Sequence, residues 1–335
     1  MSSNPKACLF GLAGLQLTAQ ERAFFAEIQP LGLILFARNI QNPVQVRALV
    51  AGLRQCVGRP DTPVLIDQEG GRVARLKPPH WQRLPAAARI AALPPEQAAE
   101  AAWLAGRLIA ADVASVGIDV ACAPVLDVLQ PDVGTDVIGD RSFGNDPGIV
   151  TRLGRAVADG LLAGGVLPVA KHIPGHGRAQ VDSHHALPRV SASLAELEAT
   201  DFAPFRALGD LPIGMTAHIV FEAIDPNLPA TQSPAMIAQI VRGSIGFDGF
   251  LLSDDVCMSA LSGSLADRTA KALAAGCDAV LHCNGNFEEM RAVAADCPAL
   301  SGKAQERWRR IVRPAPQSFD PVAGAARLAD LLPTV

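Results

Sequence analysis

Eight short apolar runs, separated by amphipathic stretches, constrain the fold of this chain more than any other feature of its sequence. None of the runs alternates between apolar and polar residues, which is the pattern of a strand with one solvent-facing side. Apolar strands that are separated by helices indicate a parallel sheet buried on both faces, and eight such units match a closed (β/α)8 barrel of the TIM type better than an open, doubly wound sheet. The predicted strands are Cys8–Leu12, Gly32–Phe36, Pro63–Ile66, Asp119–Leu126, Val166–Ala170, Ile213–His218, Gly249–Asp254 and Asp278–His282.

The stretches between these strands have helical spacing. Thr18 with Glu21 three residues later is a capping-box pattern that predicts the start of the first helix. Neither Gly-rich phosphate-binding motif, GxGxxG or GxxxxGK[ST], appears where an open sheet would carry it, and no linker-like shift in composition divides the chain. We therefore expect residues 1–335 to form a single α/β domain. The other predicted helices are 43–55, 96–116, 147–164, 194–208, 234–242, 265–275 and 286–297, followed after Ser301 by one or two closing helices broken at Pro314-Ala315-Pro316.

Composition excludes several classes of partner. The net charge is −4, from 29 basic and 33 acidic residues that are spread evenly, so no field attracts nucleic acid or an anionic membrane. Aromatic residues are too scarce for a base-stacking surface, with 3 Trp and no Tyr. No signal-peptide pattern and no apolar run approaching ~18 residues is present, and the seven cysteines form no CxxC motif. These features predict a cytoplasmic protein with reduced thiols.

One segment after the fifth predicted strand concentrates reactive side chains. It runs from Lys171 to Gly177 and continues to Asp182-Ser183-His184-His185, and it contains four of the seven histidines of the chain. Because function in such barrels sits at the carboxyl ends of the strands, these side chains are expected to face a common mouth with those that end the other strands. The strand-end residues are Asp67, Asp127, Lys171, His172, His218, Asp254, Asp255 and His282.

Two carboxylates in this set suit different chemical roles. Asp254 can act as a nucleophile, a metal ligand or a general base, whereas Asp255 is as suited to capping the following helix. Asp182 lies two residues before His184, and a carboxylate beside an imidazole fixes its tautomer and raises its pKa, which gives a proton shuttle near neutrality.

The third predicted strand leads into a charged segment. Asp67 is placed to accept hydrogen bonds from the hydroxyls of a substrate, with nearby cations completing a polar pocket. Glu69 is expected to form a surface ion pair with Arg72 or Arg75, and Arg141, taken alone, is an ordinary loop arginine. His282 is expected to be a core or supporting histidine.

Four motifs occur in a fixed order along the chain. They are Asp-x-Glu-Gly-Gly-Arg at 67–72, Asp-Arg-Ser-Phe-Gly at 140–144, Lys-His-Ile-Pro-Gly-His-Gly at 171–177 with Asp-Ser-His at 182–184, and Ser-Asp-Asp at 253–255. Together they resemble the β-N-acetylhexosaminidases of glycoside hydrolase family 3, specifically the single-domain bacterial type of peptidoglycan recycling. The resemblance spans roughly residues 8–285.

The resemblance implies a retaining exo-β-N-acetylglucosaminidase acting on GlcNAc-1,6-anhydro-MurNAc muropeptides. Asp254 would form a covalent glycosyl-enzyme, and His184, oriented by Asp182, would serve as acid and then base. The loop from Gly175 to Pro188 would close to deliver His184. The same resemblance implies no metal and no organic cofactor, and we expect a monomer. Asp67, Arg75, Arg141, Lys171 and His172 would bind the terminal sugar, with His176 and His218 in support.

Other functions remain as alternatives. A metal-dependent barrel hydrolase would use His172, His176, His184, His218 and Asp254 as ligands, but the His-x-His usual at the first strand is missing. A phosphorylase would let phosphate resolve the intermediate on the same scaffold. A sugar-binding protein without catalysis would lack one of Asp182, His184 or Asp254, and a β-glucosidase of the same broad family would need a second domain.

Overall fold

Eight parallel strands close a barrel in this computed structural model, which describes residues 4–130, 137–183 and 185–332. The order around the barrel is β1-β10-β9-β7-β5-β4-β3-β2, so the predicted (β/α)8 architecture is confirmed. Two further short strands, β6 (Arg189–Val190) and β8 (Val220–Phe221), pair with each other outside the barrel. The barrel strands are β1 (Lys6–Gly11), β2 (Pro30–Leu35), β3 (Val64–Ile66), β4 (Val120–Ala121), β5 (Leu167–Ile173), β7 (Ile213–Thr216), β9 (Phe250–Asp255) and β10 (Ala279–His282).

Helices surround the barrel, and α1 starts at the predicted capping box, where Thr18 and Glu21 exchange side-chain and backbone hydrogen bonds. A π-helix, Met236–Ser244, covers the predicted helix at 234–242. None of the helices in the described part of the chain is both long enough and apolar enough to cross a bilayer. The α-helices are α1 (Ala19–Ile28), α2 (Pro43–Val57), α3 (Ala87–Ala91), α4 (Pro95–Ser115), α5 (Pro147–Ala163), α6 (Leu194–Ala199), α7 (Ala203–Ala207), α8 (Leu265–Ala275), α9 (Phe287–Asp296), α10 (Gly302–Arg310) and α11 (Pro321–Leu331).

Two predicted elements differ from the structure, and proline explains both differences. The predicted helix 194–208 is split into α6 and α7, because Pro204 has no N–H to donate back to residue 200 and its ring clashes with that carbonyl. The fourth strand is regular only over Val120–Ala121, because Pro124 cannot donate to the strand ladder. The chain nevertheless continues along β5, with the N–H of Leu126 donating to the carbonyl of Lys171 at 2.7 Å.

Alternate residues of each strand supply two apolar layers. Leu9 of β1 lies in the barrel interior, whereas Cys8 and Phe10 face the layer beneath the helices. Trp308 of α10 closes the amino-terminal end of the barrel, with its ring 5.1 Å from that of Phe250. The interior is therefore filled at one end, and polar side chains have room only at the carboxyl ends of the strands.

Helices α4 and α5 touch backbone to backbone through glycine. A Cβ atom added at Gly160 would lie 2.3 Å from the carbonyl oxygen of Trp103, whereas one added at Gly52 on α2 would have no neighbour nearer than 3.9 Å. We expect Gly160→Ala to lower the free energy of unfolding by about 1–3 kcal/mol through overpacking. The control Gly52→Ala should raise it by about 0.5–1 kcal/mol through helix propensity. Urea unfolding measures both, and equal effects would contradict this packing.

Candidate active site

A cavity of about 220 Å³ opens at the carboxyl ends of the barrel strands. It collects most of the side chains that the sequence singled out. His184 lies outside the described residues, and His218 is buried just behind the cavity wall. The predicted residues that line the cavity are Asp67, Arg75, Arg141, Lys171, His172, His176, Asp182 and Asp254.

Lys171 is the centre of a buried ion network on one side of the cavity. Its side chain, on β5, is 2% exposed, and its Nζ lies 2.9 Å from Asp67 Oδ1 and 2.6 Å from Glu69 Oε1. Arg75 contacts the second oxygen of Asp67 at 3.0 Å. Burial raises the pKa of Asp67, but Lys171 and Arg75 outweigh that effect and hold it below its ordinary value. Asp67 is therefore ionised and fixed in place.

The prediction that Glu69 forms a surface ion pair with Arg72 or Arg75 is wrong. Its carboxylate is buried, and it accepts two hydrogen bonds from Arg141, each 2.8 Å long, rather than any from Arg72 or Arg75. Burial raises the pKa of Glu69, but the opposite effect of Lys171 and Arg141 is larger, so the pKa lies below its ordinary value. Arg141 is accordingly no ordinary loop arginine, because Glu69 binds it to the cavity wall in a bidentate arrangement.

The turn after β3 holds these groups through its own backbone. Both Gly70 and Gly71 have positive φ, and a Cβ atom on Gly70 would meet the carbonyl oxygen of Pro85 at 2.4 Å. The side-chain oxygen of Gln68 accepts hydrogen bonds from the N–H groups of Arg75 and Leu76. The consecutive glycines of the motif are thus required by the path of this turn.

Asp127 anchors the segment that follows β5. Its carboxylate, fully buried, accepts hydrogen bonds from the N–H of His172 at 3.1 Å and the N–H of His176 at 2.7 Å. It also lies 2.7 Å from Nδ1 of His172. Nδ1 therefore carries a proton and donates it in a hydrogen bond to Asp127, which leaves Nε2 without a contact to this carboxylate. Burial raises the pKa of Asp127, but His172 and the hydrogen bonds lower it to about 2.

His176 fixes the residue before His184. Its Nε2 lies 3.2 Å from the hydroxyl of Ser183, and the carbonyl of Ser183 accepts a hydrogen bond from the N–H of Ala260 at 3.1 Å. Burial, and then the neighbouring His172, lower the pKa of His176 to about 4, so its ring is neutral at pH 7. Ser183, which lines the cavity together with Asp182, is thus held from two sides.

The two aspartates at the end of β9 have different surroundings. Asp254 lines the cavity, and its Oδ1 accepts the N–H of Asp255 at 2.8 Å. Burial raises the pKa of Asp254, but His172, His218 and this hydrogen bond lower it below its ordinary value. Asp255 instead accepts the N–H groups of Cys257 and Cys283, at 3.0 and 3.1 Å. Asp255 was expected to cap the following helix, but its carboxylate instead binds backbone N–H groups of a turn and of the residue after β10.

His218 supports the same turn from behind. Its Nε2 lies 2.9 Å from the carbonyl of Asp255, and its Nδ1 lies 2.7 Å from the hydroxyl of Thr231. Because a carbonyl can only accept, Nε2 carries the proton. Burial lowers the pKa of His218, which keeps the ring neutral. With Nδ1 of His172 also engaged, these histidines are not arranged as a ready set of metal ligands.

Sequence reasoning gave no role to three residues that hold this site. Asp127 was visible only as one more strand-end carboxylate, and Ser183 only as the middle of Asp-Ser-His. Glu69 was assigned to the surface. The partners of Asp127 and Glu69, and the Ala260 that binds Ser183, are distant in sequence, so no local pattern identifies these contacts.

The Asp127 carboxylate makes the free energy of unfolding depend on pH. Its pKa is depressed by folding, so its stabilising effect is complete above the unfolded value of about 4 and is lost as pH falls towards 2. We expect the stability advantage of the wild type over Asp127→Asn to shrink by roughly 1 kcal/mol between pH 5 and pH 3. Urea unfolding at several pH values measures this difference, and an advantage that stays constant would contradict the assigned pKa.

Comparison with known proteins agrees with this geometry. A family model described as glycosyl hydrolase family 3 N terminal domain matches residues 10–313. A β-hexosaminidase of Pseudomonas aeruginosa is 41% identical over 290 residues, which cover 86% of this chain and 85% of that protein. NagZ from Neisseria gonorrhoeae superposes with a TM-score of 0.88 at 32% identity, over 99% of both chains. Its complex with N-trifluoroacetyl-D-glucosamine gives a TM-score of 0.87 at 33% identity, over 98% of both chains.

These matches cover the whole barrel together with the cavity at its mouth. The chain therefore belongs to glycoside hydrolase family 3, within its β-N-acetylhexosaminidases.

Proposed function

We propose that this enzyme removes terminal, non-reducing N-acetylglucosamine from muropeptides with retention of configuration. The observation that carries the proposal is the environment of Asp254, a carboxylate kept ionised in a cavity that both charged and apolar side chains line. An ionised carboxylate at the end of a barrel strand is suited to attack an anomeric carbon. The cavity, at about 220 Å³, is of a size for one sugar ring rather than a chain of sugars.

The reaction proceeds in two displacements. Asp254 attacks the anomeric carbon while His184 gives its proton to the departing glycosidic oxygen, so the bond to the aglycone breaks and a glycosyl–aspartate ester forms. A water molecule then attacks the same carbon as His184 takes the proton of that water, which releases the sugar and restores the Asp254 carboxylate. Two inversions retain the β configuration.

The sugar is held by the charged wall of the cavity. Asp67 accepts hydrogen bonds from hydroxyls, and Lys171, Arg75 and Arg141 donate to oxygens of the ring and the acetamido group. His172 presents Nε2, since its other nitrogen is held by Asp127. Asp67, Arg75 and Lys171 already contact one another, and Glu69 holds Arg141, so their orientation is set before the sugar arrives.

The delivery of His184 depends on the loop from Gly175 to Pro188. Support comes from Asp182 and Ser183, which line the same cavity as Asp254, and from the contacts that His176 and Ala260 make with Ser183. We propose that closure of this loop brings His184 to the glycosidic oxygen and that Asp182 orients its ring. His176 and His218 act as positioning residues for the loop and for the Asp254 turn.

A basic groove supports an anionic aglycone. A second cavity, of about 770 Å³, shares Arg72 with the sugar cavity and is lined by further basic residues and by one acid, Asp140. The carboxylates of a lactyl group and a stem peptide suit such a surface. The basic residues are Arg72, Lys77, Arg83 and Arg89.

We also propose that the enzyme works as a monomer in the cytoplasm. All seven cysteines lie in the described part of the chain, and all are free thiols, which suits a reducing compartment.

Substitution of the two catalytic residues tests the mechanism, with hydrolysis of a chromogenic β-N-acetylglucosaminide as the measurement. We expect Asp254→Asn to lower kcat by roughly 10³-fold or more, because the nucleophile is removed. We expect His184→Ala to lower it by about 10²–10⁴-fold, most strongly on substrates with poor leaving groups. The adjacent and exposed His185 provides the matched control, and His185→Ala should keep wild-type rates.

Three results would contradict this mechanism. Full activity of Asp254→Asn would demand another nucleophile, and loss of turnover on adding EDTA to a variant that lacks the Cys257 thiol, as well as to the wild type, would favour the metal-dependent hydrolase. Formation of N-acetylglucosamine 1-phosphate in phosphate buffer, in place of free sugar, would make the enzyme a phosphorylase.

Replacing the exposed cations of the groove tests the substrate. We expect Lys77→Ala with Arg83→Ala to lower kcat/KM for GlcNAc-1,6-anhydro-MurNAc-peptide by roughly fivefold, since each exposed charge contributes up to about 1 kcal/mol. The rate on an uncharged aryl glycoside should not change. An equal loss on both substrates, or no loss on either, would remove the groove from substrate binding.

A further inference from the structure

Three side chains meet behind the turn that carries Asp254 and Asp255. Cys257 follows β9, His282 ends β10, and Glu289 lies on α9. One donor atom from each lies within 4.8 Å of the other two. None of the three belongs to the proposed catalytic set.

The distances between these atoms are too long for good hydrogen bonds. Nε2 of His282 lies 3.4 Å from Oε2 of Glu289, and Sγ of Cys257 lies 3.7 Å from the same oxygen. A well-formed N–H···O bond is about 2.9 Å long. Nδ1 of His282, which is buried, has no partner among the described residues. The His282 ring is therefore poorly satisfied by hydrogen bonds in this cluster.

The same distances fit the edges of a metal tetrahedron. With Zn–S, Zn–N and Zn–O bonds of about 2.3, 2.05 and 2.1 Å, tetrahedral angles put nitrogen and oxygen about 3.4 Å apart and sulfur and oxygen about 3.6 Å apart. We propose that Cys257, His282 and Glu289 form a binding site for a zinc ion, with water at the fourth position. A thiolate, an imidazole and a carboxylate are the donors that zinc takes in proteins.

The surroundings suit two of the three donors to a metal. Burial lowers the pKa of His282, which favours the neutral ring that ligates. Burial and then Asp255 raise the pKa of the Cys257 thiol, so the thiolate forms only where zinc displaces its proton to solvent. Asn284 donates to Oε2 of Glu289 at 2.5 Å and orients it. The side chain of Glu289 is 37% exposed, which gives the ion an entry path from solvent.

A zinc ion at this place would fasten three elements together. It would join the turn after β9, the end of β10 and α9. The N–H of Cys257 already donates to the carboxylate of Asp255, which also binds Cys283. The ion thus braces the backbone next to Asp254 without touching the sugar, and its role is structural.

Cobalt(II) provides a direct probe, because only a cobalt–thiolate bond gives an intense near-ultraviolet charge-transfer band. The full chain, freed of metal with a chelator, is titrated with cobalt and then with zinc. We expect the band to saturate at one equivalent, to vanish when zinc displaces cobalt, and to be absent in Cys257→Ser. Glu289→Gln should weaken binding at least about tenfold, and zinc should raise the Tm of the wild type but not that of Cys257→Ser.

Two other cysteines supply the controls. Cys56 lies on α2, away from the cluster, so Cys56→Ser should keep the band. Cys283 lines the sugar cavity, so a band lost in Cys283→Ser and kept in Cys257→Ser would place the metal in the cavity and overturn the proposal. Absence of the band in wild type would also overturn it. If Cys257→Ser does not fold, Glu289→Gln carries the test, and cobalt affinity equal to wild type would be decisive against the site.

Discussion

The buried ammonium of Lys171 is the interaction on which the polar end of the barrel depends. Two carboxylates, Asp67 and Glu69, lie within 2.9 Å of its Nζ, and their side chains are 18% and 7% exposed. Without the cation these anions would repel each other in a poorly solvated place, and removal of one partner from such a network typically costs about 3–5 kcal/mol. The network therefore fixes the end of β3 against β5. The hydrogen-bonding groups on this wall of the cavity therefore have an orientation that the fold sets.

The buried carboxylate of Asp127, which follows β4, fixes the backbone that comes after Lys171. Asp127 gathers two backbone N–H groups and one imidazole nitrogen from the segment that follows Lys171. It thereby sets the tautomer of His172 and the start of the loop that leads to Asp182. Lys171 is held by Asp67 and Glu69, and the backbone of the next residues is held by Asp127. The loop therefore begins at a fixed position at the end of the barrel.

The fold was predictable because its signal is local and repeated. A strand buried on both faces reads as an apolar run, and eight such runs leave few topologies. The carboxyl-end rule then placed Asp67, Lys171 and Asp254 at one mouth, and the structure agrees. Element ends were less predictable at Pro124 and Pro204, where a missing N–H interrupts a pattern that side chains alone would continue.

The sequence did not reveal which charged residues of the site form ion pairs with one another. Glu69 lies close to Arg72 along the chain, yet it pairs with Arg141, 72 residues away, and with Lys171. Burial explains the choice, because an ion pair at the exposed Arg72 contributes little, whereas a buried carboxylate must have a charged partner. The Asp-x-Glu spacing follows from the same need. The two carboxylates, two residues apart, reach the same ammonium at 2.9 and 2.6 Å. Asp67, Glu69 and Lys171 are thus a single electrostatic unit.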